Sequence, residues 1–315
     1  MNSTIRTLLF PVLAFVGSLT LAAPSAWAEA VGPQHFPTPD QAAAALAQAA
    51  QSNDTSAFAG LFGAGHDSLL SSGDPVEDKN NRDGFAAMAK EKLAIDKAGE
   101  DKATVLVGNQ GWPFPIPLVK QAEGWQFDAA QGEQEIINRR IGRNELRTLS
   151  TMRGYIEAQN EYASQDRDGD GVAEYAQKFT STPGQQDGLF WDPQPGEADS
   201  PLGPLMAEAQ AQGYVFQGKP EQPTPYHGYY FRILSRQGPA APGGKYDYVI
   251  NGNMIAGFGL VAFPASYGAS GVMSFIVNHQ GRIYQKDLGP KTAEAAKAIK
   301  EFNPDPSWAS VPLSD

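Results

Sequence analysis

The chain has 315 residues, with 35 acidic against 24 basic side chains, a formal charge of −11 and no cysteine. The acidic balance argues against a nucleic-acid partner or docking on an anionic membrane surface. The lack of cysteine removes disulfides, thiolate metal sites and cysteine nucleophiles together.

Taken in order, the chain opens with Arg6, an apolar run from Leu8 to Leu21, and Ala26-Trp27-Ala28. This is the form of a Sec-type signal peptide over residues 1–28, cleaved after Ala28. Its apolar run is short of the ~20 residues that a membrane span requires. No integral membrane segment is therefore expected after cleavage, and a periplasmic or secreted location is. The remaining length exceeds that of a typical single domain, so two are expected, at 36–130 and 131–315.

In the first, Thr38-Pro39-Asp40 has the N-cap and first-turn residues of a helix, which Ala42 to Ala50 continues. A second short helix covers Ser56 to Phe62, and Leu69 to Pro75 reads as a turn. A third helix is predicted over Asp83 to Leu93, with Phe85, Met88, Ala89 and Lys92 at helical spacing. Strand-like segments follow at Ala103–Val107, Phe114–Lys120 and Gly124–Phe127. Pro113, Pro115 and Pro117 give the middle segment the character of an edge or bulged strand. Helices followed by a short antiparallel sheet closed by a Gly-Trp hairpin resemble the cystatin-like, NTF2-like cone. In such cones the cavity is either an active site or simply filled, and no acid–base pair in this sequence favours the former.

Gly132 to about Gln165 reads as one long helix or two in succession, since Gly142 weakens it and Asn144 could cap a new start. Leu146, Leu149, Met152, Ile156 and Ala163 form its apolar stripe, with Glu145, Glu157 and Glu161 off it. Residues 183–225 carry repeated prolines and one short helix, Pro204 to Gln212, and read as a long irregular insertion. From Tyr226 to Asp287 lies the densest strand signal, in the strings HGYYFRIL, YDYVI, FGLVAFP and VMSFIVNHQGRIYQKD. A last helix is expected from Thr292 to Phe302. The whole is α+β: a small helical and antiparallel-sheet domain, then a long helix packed on an antiparallel sheet.

Candidate chemistry is sparse. Asp166, Asp168, Asp170 and Glu174 stand at positions 1, 3, 5 and 9 of a Ca²⁺ loop, with the Val172 carbonyl at 7. Gln177 at position 12 lacks the bidentate carboxylate, so such a site would be weak, and a polar turn is the alternative account. Arg139 and Arg143, one helical turn apart, could take a carboxylate or other anionic ligand, or form an ion pair with Asp128 or Glu135. Trp191, Tyr226 and Tyr229 could line a cleft or pack as core under the long loop. The four histidines show no metal spacing, and Ser270 sits in a turn without the strand-to-helix change of a nucleophile elbow.

The ordered strings SGDPV, PFPIPLV, RRIGRNEL, EAQNEYA, DGLFW, SPLGPL, YHGYYFRIL, APGG, DYVINGNMI and QKDLGP resemble a bacterial family of secreted proteins, domain of unknown function 2950, over about residues 36–308. That resemblance implies no particular activity. The back half is also similar to the globular part of type IV pilins and pseudopilins, where a helix like Leu146–Tyr162 packs on an antiparallel sheet. It departs from them in its Sec-type signal and in lacking a Phe-started apolar helix. These features together predict a non-enzymatic binding or envelope-associated structural module, which binds an envelope protein or a small ligand through the loops of residues 183–225. The alternative is a periplasmic hydrolase with a cleft between the halves, which requires a convergent acidic or histidine cluster.

Overall fold

Four helices precede the first strand: α1 (Pro39–Ser52), α2 (Thr55–Phe62), α3 (Asp67–Leu70) and α4 (Pro75–Glu91). The computed structural model describes residues 32–52, 54–167, 169–216 and 223–312; the signal-peptide reading of residues 1–28 falls outside them, as does Asp168. Thr38 caps α1 through its hydroxyl, and Asp54 caps α2, accepting from the amides of Ser56 and Ala57. α4 starts at Pro75 and not at Asp83. Asp74 accepts from the amides of Val76 and Glu77 while Pro75 occupies the first turn, so the expected turn is a helix start.

Five strands follow: β1 (Leu93–Lys97), β2 (Lys102–Val107), β3 (Trp112–Pro113), β4 (Leu118–Gln121) and β5 (Gly124–Phe127). They form an antiparallel sheet in the order β1-β2-β4-β5, with β3 on β2. Pro113 is accommodated because β3 is only two residues long and pairs on one side alone. The helices bury Leu46, Phe58, Leu61 and Phe62 against Val105, Leu118 and Phe127 of this sheet.

α5 (Ala129–Tyr162) is one unbroken helix of 34 residues, continuous through Gly142 and Asn144. Its first half packs on the front sheet and its second half on the back one. α6 (Gly203–Ala211) lies within the insertion. The back strands are β6 (Tyr229–Leu234), β7 (Arg236–Gln237), β8 (Tyr246–Asp247), β9 (Val249–Ile250), β10 (Asn253–Met254), β11 (Gly259–Pro264), β12 (Met273–Asn278) and β13 (Tyr284–Asp287). After them come α7 (Thr292–Ala298) and β14 (Ala309–Ser310).

The main back sheet is antiparallel in the order β14-β13-β12-β11-β6. Leu260, Ala262, Phe275 and Val277 face the Met152, Tyr155 and Ala158 stripe of α5, while Val261 and Ile276 face Phe302 on the other side. Alternation along β11 and β12 thus places one apolar residue on each face in turn. The α+β class read from the sequence is the observed one. Residues Val31–Asp315 form one compact unit containing both sheets.

The α5 stripe shifts where the helix passes between the halves. Leu146 is 70 % exposed, and Asn144 and Thr148 are buried in its place. Here the helix meets backbone rather than apolar side chains. Asn144 Nδ2 donates to the Ser270 carbonyl, and Glu145 Oε1 accepts from the amides of Val272 and Met273. The expected stripe therefore holds from Leu149 onward and fails at Leu146.

Glycines along α5 make this packing testable. A Cβ at Gly132 would lie 2.5 Å from the Pro115 carbonyl oxygen and 2.6 Å from Ile116 Cα, both backbone, whereas one at Gly142 would meet nothing within 4 Å. Gly132→Ala is expected to destabilise the protein by about 1–3 kcal/mol through overpacking. Gly142→Ala is expected to stabilise it by about 0.5–1 kcal/mol through helix propensity. Urea denaturation of the two variants should give opposite signs; equal signs would contradict this account of α5.

Candidate functional site

Two features flank α4 and α5, and one is a cavity of about 290 Å³ within the front half. Its apolar wall comes from Leu46 on α1, Phe58 and Phe62 on α2, Phe85 on α4, and Trp112 and Phe114 around β3. Leu46, Phe58, Phe62 and Ile116 are buried and form its floor, while Asn81, Met88, Arg139 and Arg143 are exposed and mark its opening. The charged lining is Arg82, Arg139, Arg140 and Arg143 against a single acid, Asp78.

Those charges differ in how far they are committed. Arg140 is 6 % exposed and donates from Nη1 to the Ser68 carbonyl at 2.8 Å and from Nη2 to that of Leu69 at 2.7 Å. Burial pulls its pKa below the usual guanidinium value, with Asp78 opposing. Asp78 accepts from the Ser72 amide at 2.9 Å. Arg139 lies over the Trp112 ring, 5.4 Å from its centre, and pairs with Glu135 on the exposed side of α5. Arg143 donates from Nη2 to Asn81 Oδ1 at 3.1 Å.

The second feature is a buried polar junction between the halves. Glu77, 3 % exposed, accepts from Arg147 Nη1 at 2.7 Å, and its other oxygen is 3.2 Å from His227 Nδ1. That contact fits a proton on Nδ1 donating to Glu77, because two acceptors would otherwise face each other. Arg143 Nε stands 3.8 Å from the same carboxylate. Burial raises the Glu77 pKa, but the His227 hydrogen bond and the charges of Arg147, His227 and Arg143 outweigh it, so the net shift is downward.

Asp74 is fully buried and does more than cap α4. Its Oδ2 accepts from the Tyr214 hydroxyl at 2.9 Å and from the Gly228 amide at 2.8 Å. Burial is the largest influence on it and leaves its pKa raised, although these donors and the α4 amides pull the other way. Burial and the neighbouring Asp74 carboxylate likewise push the Tyr214 phenol up, and burial takes Tyr226 up to about 12.

Two backbone details hold the junction. His227 is one of two described non-glycine residues with positive φ, at 51°, which costs on the order of 1 kcal/mol or more. Gly228 follows at φ 77°, where a Cβ would lie 2.6 Å from Asn144 Nδ2 and 2.9 Å from Ser270 Cβ. The chain therefore turns tightly between α4 and α5, presenting the His227 ring to Glu77. Asp74 belongs to the string SGDPV, Arg143 and Asn144 to RRIGRNEL, and His227 to YHGYYFRIL, so three of the strings quoted above meet here.

The profile of the family described as "Protein of unknown function (DUF2950)" matches residues 33–311. This chain belongs to the DUF2950 family. No curated protein and no solved structure matches it. The similarity of this DUF2950 chain to pilins, and to the NTF2-like cone, thus finds no support among solved structures.

Of the residues singled out from the sequence, Arg139 and Arg143 come together at the cavity. Trp191, Tyr226 and Tyr229 do not line it. They are 7 %, 6 % and 0 % exposed; Trp191 and Tyr229 pack in the back core, and Tyr226 packs on Tyr214. In the Asp166–Glu174 loop, Asp166 accepts from the amides of Gly169 and Gly171, and Asp170 from that of Val172. Glu174 accepts from the Met254 amide at 2.6 Å, tying the loop to β10. Among the described residues no three acidic or histidine side chains converge as a metal centre.

Asp74, Glu77 and Asp78 do not stand out in the sequence when Leu69 to Pro75 is taken as a turn and the next helix as starting at Asp83. The Asp-Pro pair followed by two acids is a helix-start signal of the kind recognised at Thr38-Pro39-Asp40.

Proposed function

We propose that this DUF2950 protein is a binding module of the cell envelope, and that its ligand occupies the cavity of the front half. The observation that carries this reading is an aromatic-walled cavity of about 290 Å³ whose lining includes exposed polar groups. Its size falls just below the ~300–1,000 Å³ typical of small-molecule sites, which suits a small ligand. The ligand is placed here rather than on the 183–225 insertion, whose large side chains Leu189, Trp191 and Leu202 are buried as core. The periplasmic or secreted setting expected from residues 1–28 is part of the same proposal.

The uncharged fluorophore N-phenyl-1-naphthylamine tests it. Saturable binding with one site per chain is expected, lost in Ile136→Trp, which fills the cavity from α5 while leaving the junction untouched. Absent saturation, or unchanged binding in that variant, would remove the cavity as the site.

A hydrolase at the junction has one observation in its favour, the convergence of Asp74, Glu77, Tyr214 and His227. Against it, His227 and Glu77 are 5 % and 3 % exposed and already bonded to each other, so substrate would have to displace a closed pair. Near α3, Ser68 and His66 both bond Glu133, so the acid bridges serine and histidine. In a catalytic triad the histidine is the bridge. Loss of p-nitrophenyl ester turnover in a folded His227→Gln variant would favour the hydrolase over the binding module.

A further inference from the structure

Resting on the cavity as the binding site, we infer that its ligand is a small anionic amphiphile: an apolar ring or short chain bearing one carboxylate or equivalent anion, read by Arg139 and Arg143. The apolar part follows from the wall. The rings of Phe58, Phe62, Phe85, Trp112 and Phe114 line a space too small for a long acyl chain or a two-chain lipid.

The charge follows from the lining's sign. Four arginines face one aspartate in a chain that is acidic overall, with 35 acids against 24 bases. An organic cation would meet guanidinium groups on two helices, α4 and α5. A neutral ligand would make no use of the donors that Arg139 and Arg143 keep beyond their protein partners.

The two readers are identified by elimination among the α5 arginines. Arg140 is buried with both terminal nitrogens on main-chain carbonyls, and the one acid, Asp78, faces it. Arg139 and Arg143 are exposed at the opening, one helical turn apart, so their heads lie on one face. Each uses a single Nη2 for its hydrogen bond, to Glu135 and to Asn81 respectively, out of a five-donor fork. The Glu135 pair is of the exposed i,i+4 kind, which contributes at most ~1 kcal/mol and yields readily to an incoming carboxylate. Arg143 also stands 3.8 Å from Glu77, so the ligand's head would sit beside the junction without entering it.

Titration calorimetry of the full protein with octanoate, 1-octanol and octylammonium separates the possibilities. Octanoate is expected to bind about tenfold more tightly than 1-octanol, and octylammonium not measurably, as charge-assisted hydrogen bonds require. Raising salt to ~0.5 M should weaken octanoate several-fold and leave 1-octanol unchanged. R139Q, which removes an exposed pair and the contact with the Trp112 ring, should shift the melting temperature little and bring octanoate several-fold toward 1-octanol; R139Q/R143Q should bring the two to parity. Equal affinities for octanoate and 1-octanol in wild type, or no response to salt, would overturn the anionic ligand while leaving the cavity as a binding site. Binding of none of the three would overturn the cavity itself.

Discussion

Glu77→Ala is expected to destabilise the protein by about 2–3 kcal/mol, because it leaves the buried His227 donor without an acceptor and removes a charge-assisted bond to Arg147. The carboxylate is 3 % exposed and holds Arg147 at 2.7 Å and His227 at 3.2 Å, with Arg143 nearby. Without it the buried His227 ring loses its acceptor, while Arg147 and Arg143, each about two-fifths exposed, turn to water. The effect is not that of a surface ion pair, because Glu77 itself has no solvent to fall back on. Urea denaturation should show the midpoint falling sharply; a change under ~1 kcal/mol would place Glu77 among dispensable surface charges.

Its pH dependence is fixed by the direction of the shift. The folded-state pKa of Glu77 lies below its ordinary value of 4.5. The stabilisation is therefore complete above about pH 4.5 and is lost as pH falls through the folded pKa. The deficit of Glu77→Ala relative to wild type should thus be full at neutral pH and shrink below pH 4.5.

Asp74→Ala is expected to cost about 3–5 kcal/mol, since it removes an N-cap and strands two buried donors. Those donors are the Tyr214 hydroxyl and the Gly228 amide, and the lost cap is that of α4. One carboxylate thus links α4, the insertion and the turn before β6. Here the pH dependence is reversed. The folded pKa lies above 3.8, so Asp74 favours the folded state most below that value, and the advantage is lost as pH rises through the folded pKa. The deficit of Asp74→Ala should grow on acidification while that of Glu77→Ala shrinks. Parallel pH profiles for the two variants would contradict this account of the junction.

The variants also discriminate between structure and chemistry at the junction. A structural role predicts that ligand binding in the front cavity survives changes at Asp74 or His227 that leave the fold intact. A catalytic role predicts that the conservative His227→Gln variant removes turnover without shifting the denaturation midpoint.

Much of this was readable in the sequence where a local rule decides the outcome. Thr38-Pro39 marks the start of α1, and the near-continuous apolar runs Gly259–Pro264 and Met273–Asn278 give strands with two covered faces. The stripe from Leu149 to Ile156 places α5 on the back sheet. Arg139 and Arg143 at i,i+4 were recognisable as a shared cationic face. These readings rest on periods and caps, which depend only on neighbours in the chain.

Long-range partners decided the rest. Leu146 belongs to the helical stripe by spacing yet stands 70 % exposed, because the turn at Ser270 brings main-chain carbonyls and amides against that stretch of α5. Glu77 and His227 are 150 positions apart and become a pair only when the helix from Asp74 and the turn at Gly228 fold against the same side of α5. Likewise no run of residues spells a cavity. Its lining comes from α1 through α5 and the segment around β3, between residues 46 and 143, and only their packing brings these side chains around one space.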